Sequence, residues 1–168
     1  MVNKKIAVYG IIVATYTAIS LLMSSFSFGI IQIRVAEALL VLCLYDKQYI
    51  LPITIGCFVT NLVGIVMGTN LMIIDLFIGT LATFLSGICV YCFAKIEIGN
   101  IPLLSLLLPA IINGIMVGME LHFYFPVNIF LSMVYVGLGE FVSVTILGLL
   151  IYRPIGRAIK SYEMEWYN

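Results

Sequence analysis

The chain has 168 residues, 63% of them hydrophobic and only 10% charged, with a mean hydropathy of +1.20, a composition that soluble domains do not carry. Eight Lys and Arg balance eight Asp and Glu, which excludes both the basic surplus of a nucleic-acid binder and the acidic run of a disordered tail. A spanning helix needs about 20 apolar residues, so the length allows about six spans in one membrane domain over residues 1–168 and leaves no room for an extramembrane catalytic domain.

Apolar runs between punctuation place the spans at 6–23, 35–45, 49–67, 71–94, 101–123 and 127–152. The first follows Lys4 and Lys5 without a small-x-small cleavage site and is expected to stay as a helix rather than be removed as a signal. Gly10, Ala14 and Ala18 recur along it every four residues. That stripe lets another helix approach closely, either within the body or from a second protein. The second run is too short to cross alone, and is expected to begin within Gly29-Ile30-Ile31-Gln32-Ile33 or to lean, tilted, on its neighbours. Asp46-Lys47, Gly68-Thr69-Asn70, Lys95 to Pro102, and Pro126 with Asn128 separate the remaining runs. Gly64/Gly68 and Gly114/Gly118 are expected to pack helices against each other internally, and Phe123, Tyr124 and Phe125, with His122 before them, to form an aromatic belt at the membrane surface.

Cytoplasmic loops collect Lys and Arg. Placing both termini in the cytoplasm puts Lys4, Lys5, Lys47, Lys95, Arg153, Arg157 and Lys160 on that side. Arg34 alone is then stranded outside, so something must hold it.

Ionisable groups inside spans cost about 2.5–3.5 kcal/mol each on insertion scales and usually face a cavity. With this topology Glu37 opens span two, Asp75 opens span four and Glu120 closes span five, which brings three carboxylates to one depth in the outer half. Glu140 lies about 20 Å into span six, at about 1.5 Å per residue, and can floor the same cavity. Asn61, Asn70 and Asn113 accompany them; Asn113 and Glu120, seven apart, share a helix face. Arg34 and Glu37, three apart, are expected to pair across one turn. Four carboxylates against one arginine leave a formal deficit of three, which favours a ligand that is cationic or rich in N–H donors over an anionic one.

No H-E-x-x-H, G-x-S-x-G or phosphate loop is present, so no enzyme is expected. Cys43, Cys57, Cys89 and Cys92 sit in apolar runs, and His122 lies far from the Cys89-x-x-Cys92 pair, so neither a metal nor a cofactor is expected. A binding and transport subunit fits best; the alternative is an autonomous carrier that uses the carboxylates for ion coupling.

The run Phe28-Gly29-Ile30-Ile31-Gln32-Ile33-Arg34-Val35-Ala36-Glu37-Ala38-Leu39 resembles the signature after the first helix of the QueT family. Gly56-Cys57 with Asn61-Leu62, Asp75 with Gly79-Thr80-Leu81-Ala82-Thr83, Asn113 with Val117-Gly118-Met119-Glu120-Leu121, and Gly139-Glu140 follow in the same order over nearly the whole chain. The resemblance implies a six-helix S component of an energy-coupling factor transporter in the bacterial cytoplasmic membrane. Such a subunit captures a queuosine precursor, a 7-deazaguanine base, and relies on a membrane coupling protein and two ATPases for import. It also implies that Ala14-Thr15-Tyr16-Thr17-Ala18, with Gly10, docks on the coupling protein. Arg34, Glu37, Asn61, Asp75, Asn113, Glu120 and Glu140 are the expected ligand residues: Asp75 and Glu120 for the base and the ammonium of the aminomethyl form, Asn61 and Asn113 for further hydrogen bonds, and Glu37 with Arg34 to shape the loop over the site.

Overall fold

A computed structural model describes residues 2–27, 32–70 and 73–167. Helix α1 (Val2–Leu22) is followed by a short α2 (Ser24–Ser27), a 3-10 helix at Val35–Leu44, and a 3-10 turn, Lys47–Tyr49, that leads into α3 (Ile50–Val66). Then come α4 (Asp75–Phe93), α5 (Leu103–Tyr124) and α6 (Ile129–Glu140), and α6 runs on through a π-helical stretch, Phe141–Leu147, into α7 (Gly148–Tyr167). Among the described residues all regular structure is helical, as a lipid surrounding demands of an open chain whose backbone groups find no water. Among the described residues five stretches are long and apolar enough to cross a membrane: Lys5–Leu22, Lys47–Val66, Asp75–Phe93, Leu103–Tyr124 and Ile129–Ile159.

The 3-10 helix stands where the short second span was expected. Ten residues rise about 15 Å as an α-helix but about 20 Å at the 3-10 rise of 2.0 Å per residue. Its Ala36, Leu40, Val41 and Cys43 are fully buried, enclosed by α1, α3, α4, α7 and the π-helical stretch. It does not begin upstream as expected: Gln32 to Arg34 are non-helical, and Gly29 to Ile31 lie outside the described residues. The last helix also outruns its expected end at residue 152, because a hydropathy run stops where lipid-compatible side chains stop while the helix itself continues through Pro154.

Helices α5 and α6 approach most closely at glycine. A Cβ on Gly118 would lie 2.5 Å from Met133 Cα, and one on Gly114 3.1 Å from the Met133 carbonyl oxygen, so the Gly114/Gly118 pair packs internally as expected. Backbone cannot rotate away as a side chain can. Gly118→Ala should therefore lower stability by about 1–3 kcal/mol, measurable as a lower thermal unfolding midpoint of the purified protein. Gly68 does something other than pack. With φ +71° it ends α3 in the left-handed conformation that glycine adopts without strain, and the Gly64 carbonyl then accepts from the amides of Thr69 and Asn70 at 2.9 and 3.0 Å.

Helix α1 is attached along one stripe. Ile12, Tyr16 and Ser20, four residues apart, are buried, and Gly56 of α3 leaves room for Tyr16, whose Cβ would lie 2.8 Å from a Cβ at that position. Gly10, Ala14 and Ala18 are all exposed, and a Cβ on Gly10 would meet nothing within 4 Å. Within this chain the small-residue stripe faces away from the body, so internal packing does not explain it.

Candidate ligand-binding site

Arg34, Asn61, Asn70, Asp75 and Glu120 gather towards the end of the bundle where α3 and α5 finish and α4 begins. The turn after Gly68 delivers Asn70 to Asp75, the first residue of α4, and the Asn70 amide donates to Asp75 Oδ2 at 3.1 Å. Asn61, five residues before the end of α3, donates to the Asp75 backbone carbonyl at 2.8 Å. Arg34 Nη2 donates to both Asp75 oxygens, at 2.8 and 2.7 Å, and this ion pair is almost wholly buried. Gly79, one turn along α4, makes room for it, since a Cβ there would overlap Asp75 Oδ1 and lie 3.2 Å from Arg34 Nη1.

This overturns the expected pairing of Arg34 with Glu37. Glu37 Oε1 instead accepts from the hydroxyls of Tyr16 at 2.5 Å and Thr83 at 2.6 Å, which ties the 3-10 helix to α1 and α4. The one-turn rule behind the expectation applies to an exposed helix, whereas Arg34 precedes the 3-10 helix in a non-helical conformation, φ −89° and ψ 76°, that turns it towards α4.

Glu120 and Glu140 complete the constellation electrostatically. Glu120, in the last turns of α5, lies in the fields of Asp75 and Arg34, and Glu140, the last residue of α6, in those of Glu37, Arg34 and Asp75. Glu37, Glu120 and Glu140 thus share the field of the arginine that Asp75 binds directly. The Asn113 amide donates to Ser86 Oγ at 3.3 Å and to the Pro109 carbonyl at 3.1 Å.

Several buried side-chain atoms have no partner among the described residues: Arg34 Nη1, Glu37 Oε2, Thr60 Oγ1, Asn113 Oδ1, both oxygens of Glu120, both oxygens of Glu140 and both amide atoms of Gln32. Native interiors leave few such groups, and each needs a reason, the more so in lipid, where each costs several kcal/mol. Gln32 joins the candidate residues only through the structure. It lay in an apolar run that read as the start of a span, and nothing short of the tertiary fold marks it. Tyr16 and Thr83 were missed for a similar reason, since hydroxyls inside apolar helices carry no hydropathy signal.

Two spaces adjoin the cluster. One, about 10 Å³, is lined by Tyr16, Ser20, Ser27, Arg34, Thr60 and Asn61, room for about one water molecule. The other, about 320 Å³, opens between the start of α4 and the end of α5 and is lined by Ile74, Ile78, Met116, Met119, Glu120, Phe123 and Tyr124. Its size falls at the lower end of small-molecule pockets, about 300–1,000 Å³. Phe123 and Tyr124 stand exposed at its rim, whereas Phe125 turns inward onto the core of Ala82, Val117, Leu121 and Val136. His122 Nδ1 lies 2.6 Å from the Val127 carbonyl oxygen and ties down the α5–α6 turn.

The family model described as QueT transporter matches residues 6–157. Among curated proteins, the queuosine precursor transporter QueT of Lactococcus lactis subsp. cremoris (strain MG1363) is 31% identical over 80 residues, covering 46% of this chain and 44% of that protein. The likeness thus spans less than half of the relative's length. No solved structure matches the chain significantly.

Proposed function

Because the chain belongs to the QueT transporter family and is a multi-pass protein of the cell membrane, we propose that it captures a 7-deazaguanine precursor of queuosine on the outer side of the cell membrane as the substrate-binding subunit of an ATP-driven importer. The observation that carries this reading is the carboxylate excess around Arg34. One carboxylate, Asp75, is neutralised by the arginine, while Glu37, Glu120 and Glu140 present five oxygens without a protein partner. A 7-deazaguanine offers adjacent N1–H and amino donors to such acceptors, and its aminomethyl form adds a cation that a carboxylate holds by a charge-assisted bond. Asp75, expected from sequence alone to touch the ligand, is in this reading the anchor of Arg34. Glu120, flooring the 320 Å³ space among methionine and aromatic side chains, takes the ammonium.

Calorimetric titration of the purified protein with the nitrile, aminomethyl and queuine bases tests this directly. The aminomethyl base should bind more tightly than the nitrile, and Glu120→Gln should weaken it by about 1.5–3 kcal/mol, the range for a hydrogen bond to a charged group. Equal affinity for both bases, unchanged in the variant, would remove the cationic site.

The importer reading adds a coupling protein and two ATPases as partners. Support for it lies in the outward-facing Gly10/Ala14/Ala18 stripe and in the absence of any phosphate loop in the sequence.

A further inference from the structure

Two features of Gln32 stand apart from the rest of the cluster. Its side chain is fully buried, yet neither the amide nitrogen nor the amide oxygen has a partner among the described residues. Its backbone is non-helical although it lies deep: a Cβ on Gly139 would overlap the Gln32 carbonyl oxygen, and Gly139 is the eleventh residue of α6 (Ile129–Glu140). At about 1.5 Å per residue that is about 15 Å from the start of α6. Non-helical backbone at membrane depth is tolerated where it is enclosed by protein or lines a cavity, and broken helices of this kind mark binding sites in transporters.

Glu140 follows Gly139 directly. It is fully buried, and both its oxygens lack a partner. The other carboxylates are less suited to accept two parallel N–H groups. Both Asp75 oxygens are engaged by Arg34, one Glu37 oxygen is engaged by Tyr16 and Thr83, and Glu120 borders the apolar groove at the end of α5.

Resting on the reading above, we infer that Gln32 and Glu140 together form the edge of the site that recognises the pyrimidinone side of the base. That side presents a carbonyl acceptor, an N1–H donor and an amino donor in a row. A carboxamide N–H₂ answers the carbonyl, and a carboxylate accepts the two donors side by side. Bases that lack the 2-amino group leave one Glu140 oxygen without a partner and are rejected for that reason.

The experiment sets binding against stability. If the two side chains exist for a ligand, Gln32→Leu removes a buried, unsatisfied amide from the empty protein and Glu140→Gln removes a buried ionisable group while keeping its shape, so both should unfold at the same temperature as the native chain or higher. Each should nonetheless bind the aminomethyl 7-deazaguanine base at least tenfold more weakly. The native protein should prefer that base at least tenfold over its analogue lacking the 2-amino group, and Glu140→Gln should bring the two to within about threefold. Gln32→Met, closer in shape to glutamine, repeats the test should Leu not be accommodated. Lower unfolding temperatures with unchanged discrimination would make the pair structural and overturn the inference while the precursor reading stands. Native protein that binds neither base would overturn the precursor reading itself.

Discussion

Arg34→Ala should be the most damaging single change in the polar cluster, costing about 3–5 kcal/mol of stability, because it strands Asp75 as an uncompensated buried charge. The geometry leaves Asp75 little alternative: its carboxylate is fully buried, and among the described residues the other donor to a carboxylate oxygen is the Asn70 amide, at 3.1 Å. Asp75→Leu strands the guanidinium in turn and should cost a similar amount. Combining Arg34→Met with Asp75→Leu replaces the pair by apolar side chains and should recover much of the loss, giving a large coupling energy in a double-mutant cycle. The same cycle between Arg34 and Glu37 should give a much smaller coupling, since Glu37 is held by Tyr16 and Thr83. Gly79→Ala should mimic part of the effect by driving a methyl group into the pair. Thermal unfolding of detergent-purified variants measures all of these. Additive losses at Arg34 and Asp75, or a stronger coupling of Arg34 to Glu37, would show that the ion pair does not hold the cluster together.

That pairing marks the boundary of what the sequence discloses. Insertion into lipid is decided by runs of apolar residues, so the runs located the long helices to within a few residues: 49–67 against Ile50–Val66, 71–94 against Asp75–Phe93, 101–123 against Leu103–Tyr124. The same alternation of directions brings Glu37, Asp75 and Glu120 towards one depth in the sequence alone. A partner 41 residues away is a different matter. The choice of Asp75 over Glu37 depends on the non-helical backbone at Arg34 and on the missing Cβ at Gly79, and neither is visible in a hydropathy pattern. The 3-10 form of Val35–Leu44 escaped for a related reason: a segment apolar on all sides shows no period, so 3.0 and 3.6 residues per turn cannot be told apart. The π-helical turn after Glu140 has no sequence marker either, although such turns gather at functional sites and this one begins directly after a candidate ligand residue.

Ala14→Leu and Ala18→Leu should abolish ATP-dependent uptake, reducing it at least tenfold, while leaving ligand affinity and unfolding temperature unchanged. Both side chains are exposed on the face of α1 opposite Ile12, Tyr16 and Ser20, so added bulk meets nothing within this chain and cannot reach the buried carboxylates. Small residues every four positions offer no polar atom to a ligand; what they permit is close approach of another helix. A leucine at either position holds that helix away. The contrast variant is Tyr16→Phe, on the buried face, which removes the hydroxyl that donates to Glu37 and should weaken binding before it touches any partner. Membrane vesicles containing the coupling protein and ATPases report uptake, and titration of each purified variant reports affinity. Affinity lost along with uptake would place the stripe in support of the site rather than at an interface. Full uptake by the leucine variants would remove the docking face, and uptake by the chain alone, without ATPases, would identify an ion-coupled carrier in which the carboxylates of Glu120 and Glu140, with the free oxygen of Glu37, move with the coupling ion.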